Sequence, residues 1–323
     1  MSLSRRSRLV GALVLLAVCG GCWCGGSGTP PAEVLAPAQA EHVEPFATID
    51  ASGLSGLAWT DGSLVAATSD GEVLVLTPGE ETRHFRMPGS EPQIAVRHGE
   101  DGSAEVAWAT DESVGVRSLD GEVVVEPLAI RASALVGEGE AVFWGTPERV
   151  GELGGADHSE HVNVLFGGQL AVSETHVYWA DHNGLEIWAQ ARGGGTATRV
   201  ATTRRSPVEL TANAQRLVWR EAEADLLPGA EAGMHHAWPE APGWHTAPLA
   251  LPPNRDGMVL GDDEVLYGAA ECARLDARAW TTLDLGEGTG PIAVGPTHWY
   301  WARPSTGGSG TEIVRAPRSV CAE

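Results

Sequence analysis

Seven short runs of one design recur along the chain: SLVAATS, EVAWATD, AVFWGTP, HVYWADH, RLVWREA, EVLYGAA and HWYWARP. Aligned on Ala67, Trp108, Trp144, Trp179, Trp219, Tyr267 and Trp301, they are separated by 41, 36, 35, 40, 48 and 34 residues. That spacing is close to the ~40 residues of a four-stranded propeller blade. A second mark, a small or apolar residue, stands nine positions earlier in six units, at Ala58, Leu135, Leu170, Leu210, Met258 and Ile292. Nine residues accommodate a strand, a tight turn and re-entry into the next strand. In the second unit the segment HGEDGSAE lengthens the turn and breaks the spacing.

Third runs follow in GEVLVLTP, SVGVRSL, GLEIWAQA and TEIVRAPR, and fourth runs in TRHFRMP, EVVVEPLA, HVNVLFG and TATRVATT. A lone antiparallel blade cannot cover both of its faces, but blades stacked about an axis bury both. The fold class expected is therefore all-β, a β-propeller of seven four-stranded antiparallel blades, with six as the alternative if one weak unit is not a blade. The last unit stops after its third run, near Arg318. The strand-like segment VEPFATID at 43–50 is expected to complete that blade, which removes two open sheet edges. Twelve Trp stand against three Tyr and four Phe, as one aromatic reused in a repeat would produce. Trp108, Trp144, Trp179, Trp219, Tyr267 and Trp301 are assigned to the core, filling the wedge between blades.

The first residues have another character. Arg5, Arg6 and Arg8 precede a ten-residue apolar stretch, Leu9 to Val18, suited to a secretory signal and too short to span a bilayer. The cluster Cys19, Gly20, Gly21, Cys22, Trp23 and Cys24 resembles a bacterial lipobox. Small residues before Cys22 suit the peptidase, so Cys22 is the expected lipidation site, with Cys19 as alternate; a plain cleaved signal is the other reading. Residues 25–42 are rich in Gly, Ser, Pro, Ala and Glu and lack apolar periodicity. The expected division is a signal peptide at 1–21, a lipidated flexible tether at 22–42 and a propeller domain at 43–323. A lipid attaches a protein to a membrane without spanning it, which places the chain in the cell envelope, on the outer-membrane or periplasmic side in a diderm bacterium.

The formal net charge is −22, and every basic residue is Arg. Such a surface repels phosphate backbones and anionic lipid headgroups, which argues against nucleic acid as a partner and leaves the lipid as the contact with membrane. A monomer is expected.

The stretch HVYWADHNGLEIWAQARGGGTATRVAT at 176–202 resembles the repeat of YWTD-type propellers and related bacterial propeller lipoproteins. Tyr178, Trp179 and Asp181 match the tetrad, and Ala180 replaces its Thr. The resemblance implies a binding scaffold across about 43–321 and carries over no catalytic residue, because the motif is structural.

No GxSxG, P-loop or HExxH is present, so no catalytic residue, cofactor or metal is assigned. In GADHSEH, His158 and His161 with Asp157 and Glu160 could share a metal on a helix, but the stretch reads as a turn. A second cluster holds Met234, His235, His236, Trp238, Trp244 and His245. Adjacent strand residues point to opposite faces, so His235 and His236 should not chelate together, whereas His236 and Trp238 share a face that His245 could oppose. The fifth unit is the longest. Its excess, REAEADLLPGAEA at 220–232, lies between the second and third runs, on the face shared with the blade-to-blade loops. Arg220, Glu221, Glu223, Asp225 and Glu231 are therefore the candidate binding-face loop. Cys272 and Cys321 fall in neighbouring units and could pair in an oxidising compartment. The leading expectation is an anchored propeller that binds an envelope protein, a glycan or a small ligand. The alternatives are an enzyme of hydrolase, lyase or lactonase type working in the central channel, and a purely structural envelope protein.

Overall fold

The computed structural model describes residues 33–34, 43–51, 53–146, 150–153, 166–181, 185–222, 233–241, 243–249, 257–262, 264–267, 271–275, 279–282, 290–305 and 310–321. The leader, with Cys19, Cys22 and Cys24, lies outside them, as do the 155–161 cluster, Glu223, Asp225 and Glu231. Contact clustering separates Met1–Pro31 from Ala32–Glu323, and every described residue belongs to the second unit. Among these residues the sole helical element is a 3-10 turn at Arg318–Val320, and no helix is long and apolar enough to cross a membrane.

The strands form seven sheets among the described residues. Blade 1 holds β3 (Leu54–Thr60), β4 (Ser63–Thr68), β5 (Glu72–Leu76) and β6 (Arg83–Arg86). Blade 2 holds β7 (Gln93–His98), β8 (Ala104–Ala109), β9 (Val114–Ser118) and β10 (Val123–Leu128). Blade 3 shows β11 (Ala134–Glu138), β12 (Ala141–Gly145) and β13 (Val150–Leu153). Blade 4 holds β14 (Phe166–Val172), β15 (His176–Asp181), β16 (Glu186–Ala191) and β17 (Thr198–Thr202). Blade 5 holds β18 (Pro207–Ala212), β19 (Leu217–Glu221), β20 (Met234–Glu240) and β21 (Gly243–Leu249). Blade 6 holds β22 (Met258–Leu260), β23 (Glu264–Tyr267), β24 (Glu271–Arg274) and β25 (Ala279–Thr282), and β1 (Glu33–Val34) pairs with β25 in parallel. Blade 7 holds β26 (Ile292–Val294), β27 (His298–Pro304) and β28 (Thr311–Pro317), with β2 (Glu44–Ile49) antiparallel to β28 as its outer strand.

The first strands touch in sequence, β3 to β7, β11, β14, β18, β22 and β26, and β26 touches β3. Second strands are buried on both faces, as in the fully buried β4 and β12, because each blade is covered by a neighbour on either side. Trp108, Trp144, Trp179, Trp219 and Trp301 are at most 6% exposed. The Trp144 core includes Ala95 and Ala107 of blade 2, that of Trp179 includes Phe143 of blade 3, and that of Trp219 includes Tyr178 of blade 4. Each Trp thus fills the wedge toward the preceding blade. The Tyr267 side chain is outside the described set; its backbone occupies the corresponding place in β23.

The nine-residue mark has a simple geometric origin, since it is the cross-strand partner of the aromatic. Leu135 faces Trp144, Leu170 faces Trp179, Leu210 faces Trp219, Met258 faces Tyr267 and Ile292 faces Trp301. In blade 2 the longer turn brings Ile94 opposite Trp108.

Two sequence assignments need correction. In blade 1 the nine-residue pair is Leu57 with Ala66, so Ala58 and Ala67 stand one position out of register. The hairpin there turns on Asp61 and Gly62, both with positive φ (30° and 88°), the two-residue arrangement that sets this register. A one-residue slip reverses the face, and Ala67 indeed packs toward Trp108 of blade 2 while Ala66 packs toward Tyr300 of blade 7. The segment HVNVLFG, expected as the fourth strand of its unit, is the second. Residues 161–165 lie outside the described set, and Phe166 and Gly167 open β14 of the following blade.

Candidate functional site

Strand direction alternates within a blade. Loops joining second to third strands therefore share one face with the blade-to-blade connections, here the loop face, and the other turns share the hairpin face. Repetition makes departures from the pattern visible. In blades 2 and 3 the residue opposite the wedge Trp is Gly115 or Gly151. A Cβ at Gly115 would come within 2.6 Å of the Trp108 ring, and one at Gly151 would collide with Trp144, so glycine gives the indole its seat. Blade 5 has an imidazole there instead. His235 lies opposite Trp219, stacked at 5.3 Å between ring centroids and 19° between planes.

Two residues after Trp219, Glu221 ends β19 on the loop face with its side chain turned inward, 7% exposed. Its Oε1 is 3.6 Å from His235 Nε2, too far for a hydrogen bond yet in close electrostatic contact, and it accepts a 3.3 Å hydrogen bond from the Arg204 amide. Arg204 belongs to the connection from blade 4. Burial lowers the His235 pKa most, the Glu221 carboxylate opposes that, and Arg204 adds to the lowering. The result is a neutral imidazole beside a buried carboxylate at the root of the longest insert. Such a pair can accept and donate hydrogen bonds, or hold a cationic group.

The five residues of the candidate loop therefore divide. Arg220 and Glu221 are strand residues of β19, not loop residues, and Arg220 is spent on Glu209 of β18, 3.4 Å away. The Glu221–His235 pairing escapes sequence reasoning because its members come from two strands joined by the insert.

Of the second His cluster, His236, Trp238 and His245 occupy the other side of blade 5. Trp238 pairs across strands with His245, and their rings lie 4.4 Å apart. His236 is 5.0 Å from Trp238, and Arg216 lies over the Trp238 ring at 5.3 Å with its Nη1 3.2 Å from His236 Nδ1. A guanidinium donating to Nδ1 needs a neutral imidazole. Burial first, then Arg216, His235 and His245, lower the His236 pKa to about 4. No group of three or more metal-ligating side chains forms among the described residues.

His236 makes stability depend on pH. Its folded-state pKa lies below its unfolded value of ~6.5, so the unfolded chain takes up the proton first. The stabilisation is complete above pH ~6.5 and is lost as the pH falls toward 4. His176, His235 and His298 are shifted in the same direction. Urea midpoints measured across this window should fall with pH, and the fall should be shallower in His236→Gln, which retains an acceptor for Arg216.

Cys272 in β24 and Cys321 after β28 form a disulfide, with Cα atoms 5.2 Å apart. Arg318 reinforces the junction through Glu264 at 2.6 Å and Asp262 at 3.1 Å, and covers the Trp299 ring.

No protein-family model and no curated protein matches the chain. Among solved structures, virginiamycin B lyase from Staphylococcus aureus superposes with a TM-score of 0.62 at 14% identity, over 85% of this chain and 98% of that one. A streptogramin B lyase gives 0.60 at 15% identity, over 84% and 96%. The β-propeller domain of Cps50 (Swd1) from Myceliophteria thermophila gives 0.61 at 10% identity, over 84% and 99%. At such identities the likeness establishes the fold, a β-propeller, and function rests on this chain's own residues.

Proposed function

We propose that this chain is an exported propeller, lipid-anchored at Cys22, that serves as a binding module in the cell envelope. The leader, with its arginines, short apolar stretch and small residues before Cys22, supports export and anchoring. The Glu221–His235 pair carries the binding reading. Opposite the wedge residue stand Gly115 and Gly151 in blades 2 and 3, Trp188 in blade 4 and Val314 in blade 7, and blade 5 alone among these sets an imidazole there, with the inward carboxylate of Glu221 beside it. Glu221 is buried with one hydrogen bond, from the Arg204 amide, to its Oε1, while His235 stays 29% exposed, so a ligand contributing a cation or a hydrogen-bond donor could reach the imidazole and complete the carboxylate's partners. Tyr178, Trp179 and Asp181 link blade 4 to YWTD-type propellers, whose role as scaffolds points the same way.

An enzyme is the second reading, favoured by one observation: a neutral imidazole beside a carboxylate can relay a proton. Affinity capture from envelope extract with parent protein and with Glu221→Gln/His235→Ala decides between them. The binding reading expects a partner recovered by the parent and lost by the variant. Equal recovery by both would reject this site. Mass spectrometry of the mature N-terminus should find a diacylated Cys22; an unlipidated start beyond Cys24 would remove the anchor.

A further inference from the structure

On the hairpin face a groove of about 330 Å³ runs between β2 of blade 7 and the β5–β6 turn of blade 1, lined by Pro45, Phe46, Thr77, Pro78, Thr82 and Arg315 among others. In the β2–β28 ladder Pro45 pairs with Val314 and Ala47 with Ile313, which leaves Phe46 as the extra residue of a β-bulge. A bulge re-aims one side chain and is a common device beside binding sites. Here the Phe46 and Tyr300 rings meet in a T-shaped pair at 5.2 Å, and Tyr300 is in turn stacked on Trp59 at 4.8 Å. The Arg315 guanidinium lies 5.6 Å from the Phe46 centroid, with Nε and Nη2 both 2.6 Å from Glu44 Oε1.

We propose that this groove binds a neutral saccharide of one or two rings. The volume is at the small end of ligand clefts, which span about 300–1,000 Å³. Phe46 and Pro78 line the groove and offer apolar surface to the C–H face of a pyranose. Arg315 lines the groove with its charge balanced by Glu44, and Thr77 and Thr82 add hydroxyls, that of Thr77 also meeting Ser63 Oγ at 2.7 Å. An anion would have to compete with Glu44 for Arg315 against a protein of net charge −22. A hydrocarbon would strand these polar groups, and a cation would find Glu44 already neutralised. The proposal is independent of the leader and of the Glu221–His235 pair.

Isothermal titration calorimetry of the mature chain against glucose, galactose, mannose, N-acetylglucosamine and their common disaccharides tests it. At least one should give a saturable isotherm, weakened about tenfold by Phe46→Ala. Thr82→Trp, a change at a half-buried residue just before β6 and outside the core, should block the groove and keeps the test valid if Phe46→Ala unfolds. Isotherms unchanged by Thr82→Trp, binding of uronic or sialic acids alone, or no heat from any neutral sugar would each overturn the assignment.

Discussion

Replacing Trp179 with alanine will destabilise the fold by about 3–5 kcal/mol, whereas phenylalanine at the same place will cost far less. Trp179 is 1% exposed and packs with Phe143, Val150, Leu170 and Val177 across the boundary between blades 3 and 4. Alanine would leave a cavity that strands held on both sides cannot close. Its indole Nε1 has no hydrogen-bond partner among the described residues, so phenylalanine sacrifices volume and no hydrogen bond. Denaturant unfolding should show the alanine midpoint far below the parent, with the slope unchanged and phenylalanine between them. An alanine variant as stable as the parent would mean that the repeated aromatic does not wedge the blades apart.

Removing the Cys272–Cys321 bond is the second large effect expected. The cysteines are 49 residues apart in sequence, and closing a loop of that length in the unfolded chain corresponds to about 4 kcal/mol of lost entropy. Reductant should lower the unfolding midpoint of the parent and leave a Cys272→Ser/Cys321→Ser variant unmoved. The fold should survive the loss, since Arg318 still joins the C-terminal turn to Glu264 and Asp262. Equal midpoints for oxidised and reduced parent would dismiss the bond as a source of stability.

The architecture is readable from sequence because a propeller repeats its packing problem. An aromatic every 34 to 48 residues and an apolar partner nine positions earlier are local consequences of a second strand folding back on a first. Ala67 shows the limit of such reading. With no aromatic to hold the alignment, blade 1 falls one residue out, and only the Asp61–Gly62 turn sets its register. The functional features are less legible because they are exceptions. His235 looks like a member of a histidine run, and its role depends on Glu221 beyond a long insert and on an amide from the preceding blade. The Phe46 bulge cannot be foreseen, since the register of β2 is decided by a strand at the other end of the chain.

That last pairing orders events in time. Arg315 meets Glu44 across 271 residues of sequence, and Thr311 bonds Ala51 across 260. β2, near the start of the chain, therefore waits for the last strand, β28, before blade 7 exists. During synthesis its unpaired edge stays exposed, and contacts of such separation form slowly. For a chain threaded through a membrane N-terminus first, the delay is an advantage. Under the export proposed above, blade 7 could not be completed until β28 had been made, so the topology would help keep the chain competent for transport. A truncation before Thr311 should then give a chain that keeps β26 and β27 but has no partner for β2, prone to aggregate rather than to fold.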